Sequence, residues 1–536
     1  VYRVAEIQIV GPPGTGKTST LAALVERGIE EYGSDAVVVS SLTKTAASEL
    51  SGRGLRIPRE HAGTLHSLCY RQIGRPPLVY GALDEWNRRH PGMRLSTRSA
   101  TPENDAPESS PTNNAPGDEL DQAYGLLRHR LVPRDLIPAG LRQFVSAWEE
   151  FKSETGTIDY TDMIEMAYEG VPTAPGAPSA ILADEVQDYS RLETSLLRKW
   201  GAAARTLVLA GDPDQAIYEW RGADPAVFLD HDVGPNRRIL AQSYRVPRKV
   251  HAAATSWVRQ IKARIDAEYR PRDEDGVVRR EPGMRWKYPE AMLRDIERWV
   301  AAGESVIVEA TCDYMLAPTL SVLRREGIPF GNPWRRANGA WNPLVSGRGV
   351  TMAQRVLAFL RPDVDGQWWS AEDLRRWTAV LRVDGVLRHG AKAAIDRLGT
   401  GAAEAVPWDA LAGWLEDDAL ARATDLDLDW WRRSLLATRA KAADYPIVVQ
   451  RRRGVAALAA EPLVHVGTIH SFKGAEADHV VLFPDVSPQG MRQWQGPQAG
   501  RDAVVRQFYV GMTRARSTLV LAGPSSPYAV PWGLTL

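Results

Sequence analysis

The stretch GPPGTGKTS, Gly11 to Ser19, has the residue types needed to hold a triphosphate. It fits G-x-x-x-x-G-K-[ST], with Gly11, Gly16, Lys17 and Thr18 at the fixed positions. Glycines there let successive backbone N–H groups face phosphate oxygens, and a following helix adds the positive end of its dipole. Of Gly11, Pro12, Gly14, Thr15, Gly16, Lys17, Thr18 and Ser19, Lys17 is expected to reach the β/γ-phosphates and Thr18 to hold Mg²⁺. Asp184 and Glu185, in ILADEVQDYS, follow a second apolar run. Asp184 suits Mg²⁺ binding and Glu185 suits orienting or deprotonating water. Acidic pairs after strands also serve as loop caps, and it is the phosphate loop upstream that favours the chemical reading. Gln215, in AGDPDQAIYEWRGAD, is placed to sense a γ-phosphate. Tyr218, Trp220 and Arg221 follow it, and they read either as a base-stacking platform beside a guanidinium or as core residues. Downstream, AQSYRVPRK carries Tyr244 and Arg245, and FYVGMTRARSTLVL carries Arg514 and Arg516. Phosphoryl transfer depends on positioned positive charge, so arginines from a second domain would tie hydrolysis to domain closure.

Positioning these groups takes strands that end where the polar residues begin. IQIV, before the loop, reads as a buried strand, and STLAALVERGIEEYG, after it, has helical periodicity. DAVVVSSL, SAILADE and RTLVLAGD are further short apolar runs, as in a parallel α/β sheet whose ligands gather at the carboxyl ends of the strands. Residues 97–118 are rich in Pro, Ser, Asn and acids and read as a mobile loop or linker in an inserted subdomain. From Ala241 onward, RVPRKVHAAATSWVRQIKARI reads as helix, and ESVIVEAT and HVVLFPD as strands. Between about Gly349 and Arg453 the pattern is helical, which suggests a helical domain inserted into a second α/β domain. Its tryptophans (368, 369, 377, 408, 414, 430 and 431) suit helix packing more than a DNA platform. QRRRG, at 450–454, reads as a phosphate contact or a solvated basic hinge.

The chain has 536 residues, 44% hydrophobic and 25% charged, the composition of an ordinary globular protein of several domains. No apolar run approaches the ~18 residues of a membrane span, and no secretory signal is visible. Cys69 and Cys312 stand far apart without a paired Cys or His, which argues against zinc and suits a reducing compartment. The 66 basic and 66 acidic residues balance, so any nucleic-acid surface must be local.

In order, the motifs resemble those of superfamily 1 DNA helicases of the UvrD/Rep/PcrA type. GPPGTGKT resembles motif I and SLTKTAASEL (Ser41 to Leu50) motif Ia, while GTLHSLCYR resembles the T-x-H-S segment. IDYTDMI is similar to the DFxDL segment where the chain re-enters the first core. DEVQD, GDPDQAIYEWRGA and SYR resemble motifs II, III and IV. VGTIHSFKGAEADHVVLF and FYVGMTRAR resemble motifs V and VI.

The resemblance implies an α/β fold of two RecA-like P-loop core domains with parallel sheets, each with a mainly helical insertion. The expected first core is 1–75 and 146–236, interrupted by an insertion at 76–145; the second is 237–348 and 456–536, interrupted at 349–455. It further implies ATP and Mg²⁺ chemistry at Lys17, Thr18, Asp184 and Glu185. Gln215, Arg245 and Arg514 would contact the γ-phosphate, Tyr244 would stack on adenine and Glu476 would bind ribose. Leu42, Thr64, His66, Tyr218, Trp220, Arg221, His470 and Lys473 would lie along single-stranded DNA. The implied activity is ATP-dependent 3′–5′ translocation and unwinding, by a monomer, on single strands and single–double-strand junctions, alongside repair or replication proteins in a nucleoid. Protein stripping without unwinding, or a nucleotide-gated scaffold, are the competing readings. Departures are expected too. Ten residues before Gly11 leave no room for the family's adenine-reading glutamine motif, so Tyr244 would carry more of base recognition. Leu42 replaces the motif Ia aromatic, and the second insertion is short. LRHGAKAAIDRLG, at 387–399, weakly resembles a duplex-contacting turn but also reads as a plain helix start.

Overall fold

The computed structural model describes residues 5–41, 57–96, 115–226, 230–231, 233–265, 267–335, 339–345, 349–360, 369–398 and 406–533. Leu42 with the rest of the motif Ia segment, Trp368 and residues 97–114 lie outside the described residues. Asp118, expected at the end of a loop, instead opens a helix, with Asp118, Glu119 and Asp121 complementing the positive end of its dipole.

The apolar runs form two six-stranded sheets in which every pairing is parallel. In the first, β1 (Ala5–Val10), β2 (Val37–Ser41), β3 (Ala62–Thr64), β4 (Ala180–Ala183), β5 (Thr206–Gly211) and β6 (Arg237–Ile239) lie in the order β3-β2-β4-β5-β1-β6. The chain then passes through a small parallel pair, β7 (Gln242–Pro247) and β8 (Arg270–Arg272). The second sheet has the order β11-β12-β10-β13-β14-β9. Its strands are β9 (Val277–Glu281), β10 (Val306–Ala310), β11 (Phe330–Gly331), β12 (Val464–Thr468), β13 (Ala477–Leu482) and β14 (Ala515–Ala522). β2, β4 and β10 are buried throughout, as parallel strands covered on both faces must be.

The first sheet is covered by α1 (Lys17–Tyr32), α2 (Leu65–Gln72), α5 (Tyr160–Gly170) and α6 (Arg191–Ala202). Between α2 and α5 the chain builds a separate apolar core around Trp86, Phe144, Trp148 and Phe151, using α3 (Asp118–His129) and α4 (Ala139–Thr155). A buried ion cluster fastens that unit to α5. Arg128 on α3 and Lys152 on α4 both bind Asp159 and Asp162, with Arg128 also reaching Glu165. Burial resists ionisation of Asp159, but the two cations outweigh it and hold its carboxyl well below the usual range.

Described residues 351–453 are helices and turns, ending in α8 (Ala437–Arg453). Trp369, Trp377, Trp430 and Trp431 are buried in a core shared with one face of the second sheet, while Trp408 is exposed. Arg451, Arg452 and Arg453 of the QRRRG segment are paired with Asp429, Glu326 and Glu297. The other face of the second sheet is covered by α7 (Arg248–Val258) and α9 (Gln498–Met512). The helix expected over 245–265 is therefore shorter. Arg245 and Val246 stay extended in β7, because Pro247 disfavours helical backbone in the residue before it. Among the described residues no helix is long and apolar enough to cross a membrane.

Candidate nucleotide site and strand-facing groove

β1 is paired on both sides, to β5 and β6, so the loop after it starts from a fixed point. The Gly11 N–H donates to Gly211 O at 3.0 Å, and the Thr20 N–H donates to Gly16 O at 2.8 Å, opening α1. Gly14 and Gly16 adopt φ of +74° and +80°, which side chains resist. At Gly14 space matters as well, since a Cβ would stand 2.5 Å from Arg245 Cβ and 2.8 Å from Ser243 Oγ. The loop is thus packed directly on β7. Lys17 Nζ donates to Gly11 O at 2.7 Å and Thr15 Oγ1 to Pro12 O at 2.8 Å, so both side chains fold over the loop.

β4 ends against this loop. Thr18 Oγ1 donates to Asp184 Oδ2 at 3.5 Å. Burial, reinforced by Glu185, lifts the Asp184 carboxyl to about 7. A buried carboxyl short of positive charge beside a hydroxyl fits Mg²⁺, which takes one or two carboxylates and completes its shell with phosphates and water. Among the described residues no group of three or more His, Cys, Asp or Glu is arranged to hold a metal alone. Glu185 sits at φ +54°, a left-handed conformation that costs a non-glycine residue energy and is found most often at functional sites. Burial opposes its ionisation, but Lys17, Lys473 and a hydrogen bond from Gln187 prevail, and its carboxyl titrates below the usual range.

Contacts from the second half of the chain reach this edge. Arg514, at the end of α9 and 1% exposed, donates to Gln215 Oε1 at 3.0 Å, just past β5. Its remaining donors reach Val510 O, Ala475 O and Thr513 Oγ1 at 2.8, 3.1 and 3.2 Å. Lys473 Nζ donates to Gln215 O at 2.8 Å, is paired with Asp188 and stands 4.0 Å from Glu185. His470 Nε2 meets Ile217 O at 3.0 Å. The Tyr244 N–H donates to Gly14 O at 2.8 Å, and Ser243 Oγ and Tyr269 OH both donate to Pro13 O at 2.9 Å. The Tyr244 ring is 74% exposed beside the loop. Arg245 is paired with Glu476, which also faces Arg516 at 3.4 Å.

Tyr218, Trp220 and Arg221 form a half-buried turn beyond Gln215. The Tyr218 and Trp220 rings lie 6.4 Å apart, His470 meets Tyr218 edge-on at 5.8 Å, and Lys473 Nζ stands 5.2 Å from the Tyr218 ring centre. Trp220 Nε1 is buried without a hydrogen-bond partner among the described residues. His66 Nδ1 and Arg221 Nη2 stand 3.8 and 3.9 Å from the same buried Glu193 oxygen. Thr64 caps α2, accepting from the Ser67 N–H at 3.2 Å. Burial pushes both His66 and His470 down to about 4, so they are neutral at neutral pH. Of the residues expected along a strand, Thr64, His66, Tyr218, Trp220 and Arg221 belong to the first sheet's side. His470, buried, and Lys473, part-buried, pack against it from the second, as seam contacts.

Sequence reasoning did not single out Asp188, Glu193, Tyr269 or Glu309. Asp188 was within reach, four residues after Asp184 in DEVQD. The others sit in runs with no pattern of their own, and only packing reveals them.

Loop, acid pair and cross-sheet arginine together define a phosphate-loop α/β protein, and a family model described as an AAA domain matches residues 3–221. Within that class its motif order resembles that of UvrD-like superfamily 1 proteins, and the proteins it is similar to include DNA helicases. It is 25% identical to a putative ATP-dependent DNA helicase, YjcD, of Bacillus subtilis over 283 residues, 48% of this chain and 37% of that protein. It is 22% identical to DNA helicase II of Escherichia coli over 288 residues, 49% and 39% of the two chains. It is 23% identical to the ATP-dependent DNA helicase PcrA of Staphylococcus aureus over 278 residues, 47% and 37%. The chain spans less than half the length of each of these relatives.

Proposed function

We propose that this chain hydrolyses ATP at the seam between its two sheets and converts the cycle into 3′–5′ movement along single-stranded DNA, unwinding duplex ahead of it. The observation that carries this reading is the bond from Arg514 to Gln215, which brings a guanidinium from one sheet to the catalytic edge of the other. The two sheets serve as two RecA-like lobes close to the expected 1–75 with 146–236 and 237–348 with 456–536, with insertions near 76–145 and 349–455; β6 falls to the first lobe, and α4 carries the first insertion on to Thr155.

In this reading Lys17 and the loop N–H groups hold the β/γ-phosphates, and Tyr244 stacks on the base. Thr18 and Asp184 hold Mg²⁺, which when bound neutralises charge on the phosphate oxygens. Glu185, kept ionised, accepts the proton of the attacking water. Gln215, Arg245 and Arg514 face the γ-phosphate, and Glu476 exchanges its arginine partners for the ribose. Contacts made only while the γ-phosphate is present favour the closed seam, and their loss on hydrolysis lets it open. Tyr218 and Trp220, next to Gln215 in sequence, convert that cycle into a change of grip on stacked bases. The track is DNA, single strands and junctions, which places a monomeric motor at the nucleoid in repair, recombination or replication.

Unwinding of duplexes with 3′ or 5′ tails, with and without ATP, tests this directly. Displacement of 3′-tailed duplex alone is expected. ATP turnover with removal of bound protein but no strand separation would support the stripping reading instead. Turnover indifferent to single-stranded DNA would support a scaffold.

A further inference from the structure

Glu309 lies on β10, in the middle of the second sheet, between Gly467 of β12 and Leu482 of β13. It is 0% exposed, and neither carboxyl oxygen has a hydrogen-bond partner among the described residues. A buried polar group left unpartnered in this way calls for a functional explanation. Its carboxyl presses on α9 at Gly511, where even a methyl group would come within 2.7 Å of Oε1. Gly511 stands three residues before Arg514, and its carbonyl accepts the Arg514 N–H at 3.0 Å. The lateral neighbours Gly467 and Leu482 carry no charge. Among the described residues Arg514 is the charged group that acts on Glu309, while Arg514 itself also feels Arg245, Glu185 and Glu476.

We propose that Glu309 is a proton-linked positioning residue for Arg514: neutral, it leaves the guanidinium bonded to Gln215 at the seam; ionised, it draws the guanidinium back into the second sheet. Burial raises this carboxyl to about 8, so the neutral form dominates at neutral pH and the switch falls in the mildly alkaline range. Glu309 never touches the nucleotide, and its effect passes entirely through Arg514. The inference rests on the hydrolysis reading above, which assigns Arg514 to the γ-phosphate.

The test compares wild type with Glu309→Gln, which keeps shape and removes the titration. ATP turnover at saturating ATP and single-stranded DNA is followed from about pH 6.5 to about pH 9.5. Wild-type kcat is expected to fall about tenfold as pH rises through the Glu309 transition, with KM little changed, and the E309Q profile to lack that alkaline fall. In parallel, the Gln215 side-chain amide resonance is expected to shift with the same midpoint in wild type and to stay in place in E309Q. Superimposable kcat profiles, or a Gln215 resonance that does not respond to pH in wild type, overturns the inference. If wild type shows no turnover at any pH, the hydrolysis reading fails, and the Gln215 resonance alone decides the Glu309–Arg514 linkage.

Discussion

Replacing Arg514 by methionine tests the seam where it is thinnest. The change keeps much of the side-chain volume and removes the charge. Four hydrogen bonds disappear, to Val510 O, Ala475 O, Thr513 Oγ1 and Gln215 Oε1. Each acceptor left dry costs about 1–3 kcal/mol. Against this, a fully buried guanidinium no longer has to be desolvated, a penalty of several kcal/mol. Burial already lowers the Arg514 pKa to about 10, a sign of how poorly the site solvates the charge. These terms oppose each other, so the fold is expected to survive. Catalysis has no such offset. A guanidinium aimed at the transferring phosphoryl group contributes about 10³–10⁵ in kcat, equivalent to about 4–7 kcal/mol of barrier. Arg514→Met is therefore expected to unfold within about 1 M urea of wild type while its single-turnover ATP cleavage falls at least about a thousandfold. A lysine at 514 restores the charge but not the fork, and recovers only part of the loss. A folded R514M variant cleaving ATP within about tenfold of wild type would refute the placing of this residue in the reaction.

Three further outcomes are expected. Glu185→Gln removes a carboxylate that Lys17 and Lys473 hold below the usual range, so kcat falls about 10²–10⁴ while equilibrium binding of a fluorescent ATP analogue persists; loss of binding instead would make Glu185 a structural cap. Trp220→Ala weakens single-stranded DNA binding by about 1–3 kcal/mol in fluorescence anisotropy, with little change in the salt slope, because a stacking surface is lost and no phosphate contact. His66 and His470 are depressed to about 4 in the folded chain, so their contribution to stability is present above the ordinary histidine value near 6.5 and is lost as pH falls from there to about 4. Urea unfolding across that window should show a steady loss that His470→Asn reduces; an unchanged pH slope in that variant would remove His470 from the balance.

Local pattern determined a good deal of this protein. The phosphate loop, the acid pair and the strands before them are legible because each is short, contiguous and set by backbone needs: glycines at φ > 0, apolar runs buried on both faces, polar residues where strands end. The tryptophans at 369, 377 and 431 could be assigned to packing for the same reason, since large apolar rings in amphipathic helices seek a core. The order of motifs carried the resemblance, and with it the expectation that arginines far downstream meet the loop.

Tertiary structure decided what those residues touch. Sequence spacing says nothing of a contact between residues some three hundred apart, so the Arg514–Gln215 bond and the pairing of Lys473 with Asp188 come only from packing. Pro247 shows the same limit in miniature, as a helical run lost its first turn to the strand that seats Arg245 on Gly14. Glu309 is the extreme case. In the sequence it is one acidic residue in an apolar strand, and its isolation from every partner exists only once two strands and a helix end have closed around it. Burial and charge pairing are properties of three-dimensional neighbourhoods, and a linear chain holds them only implicitly.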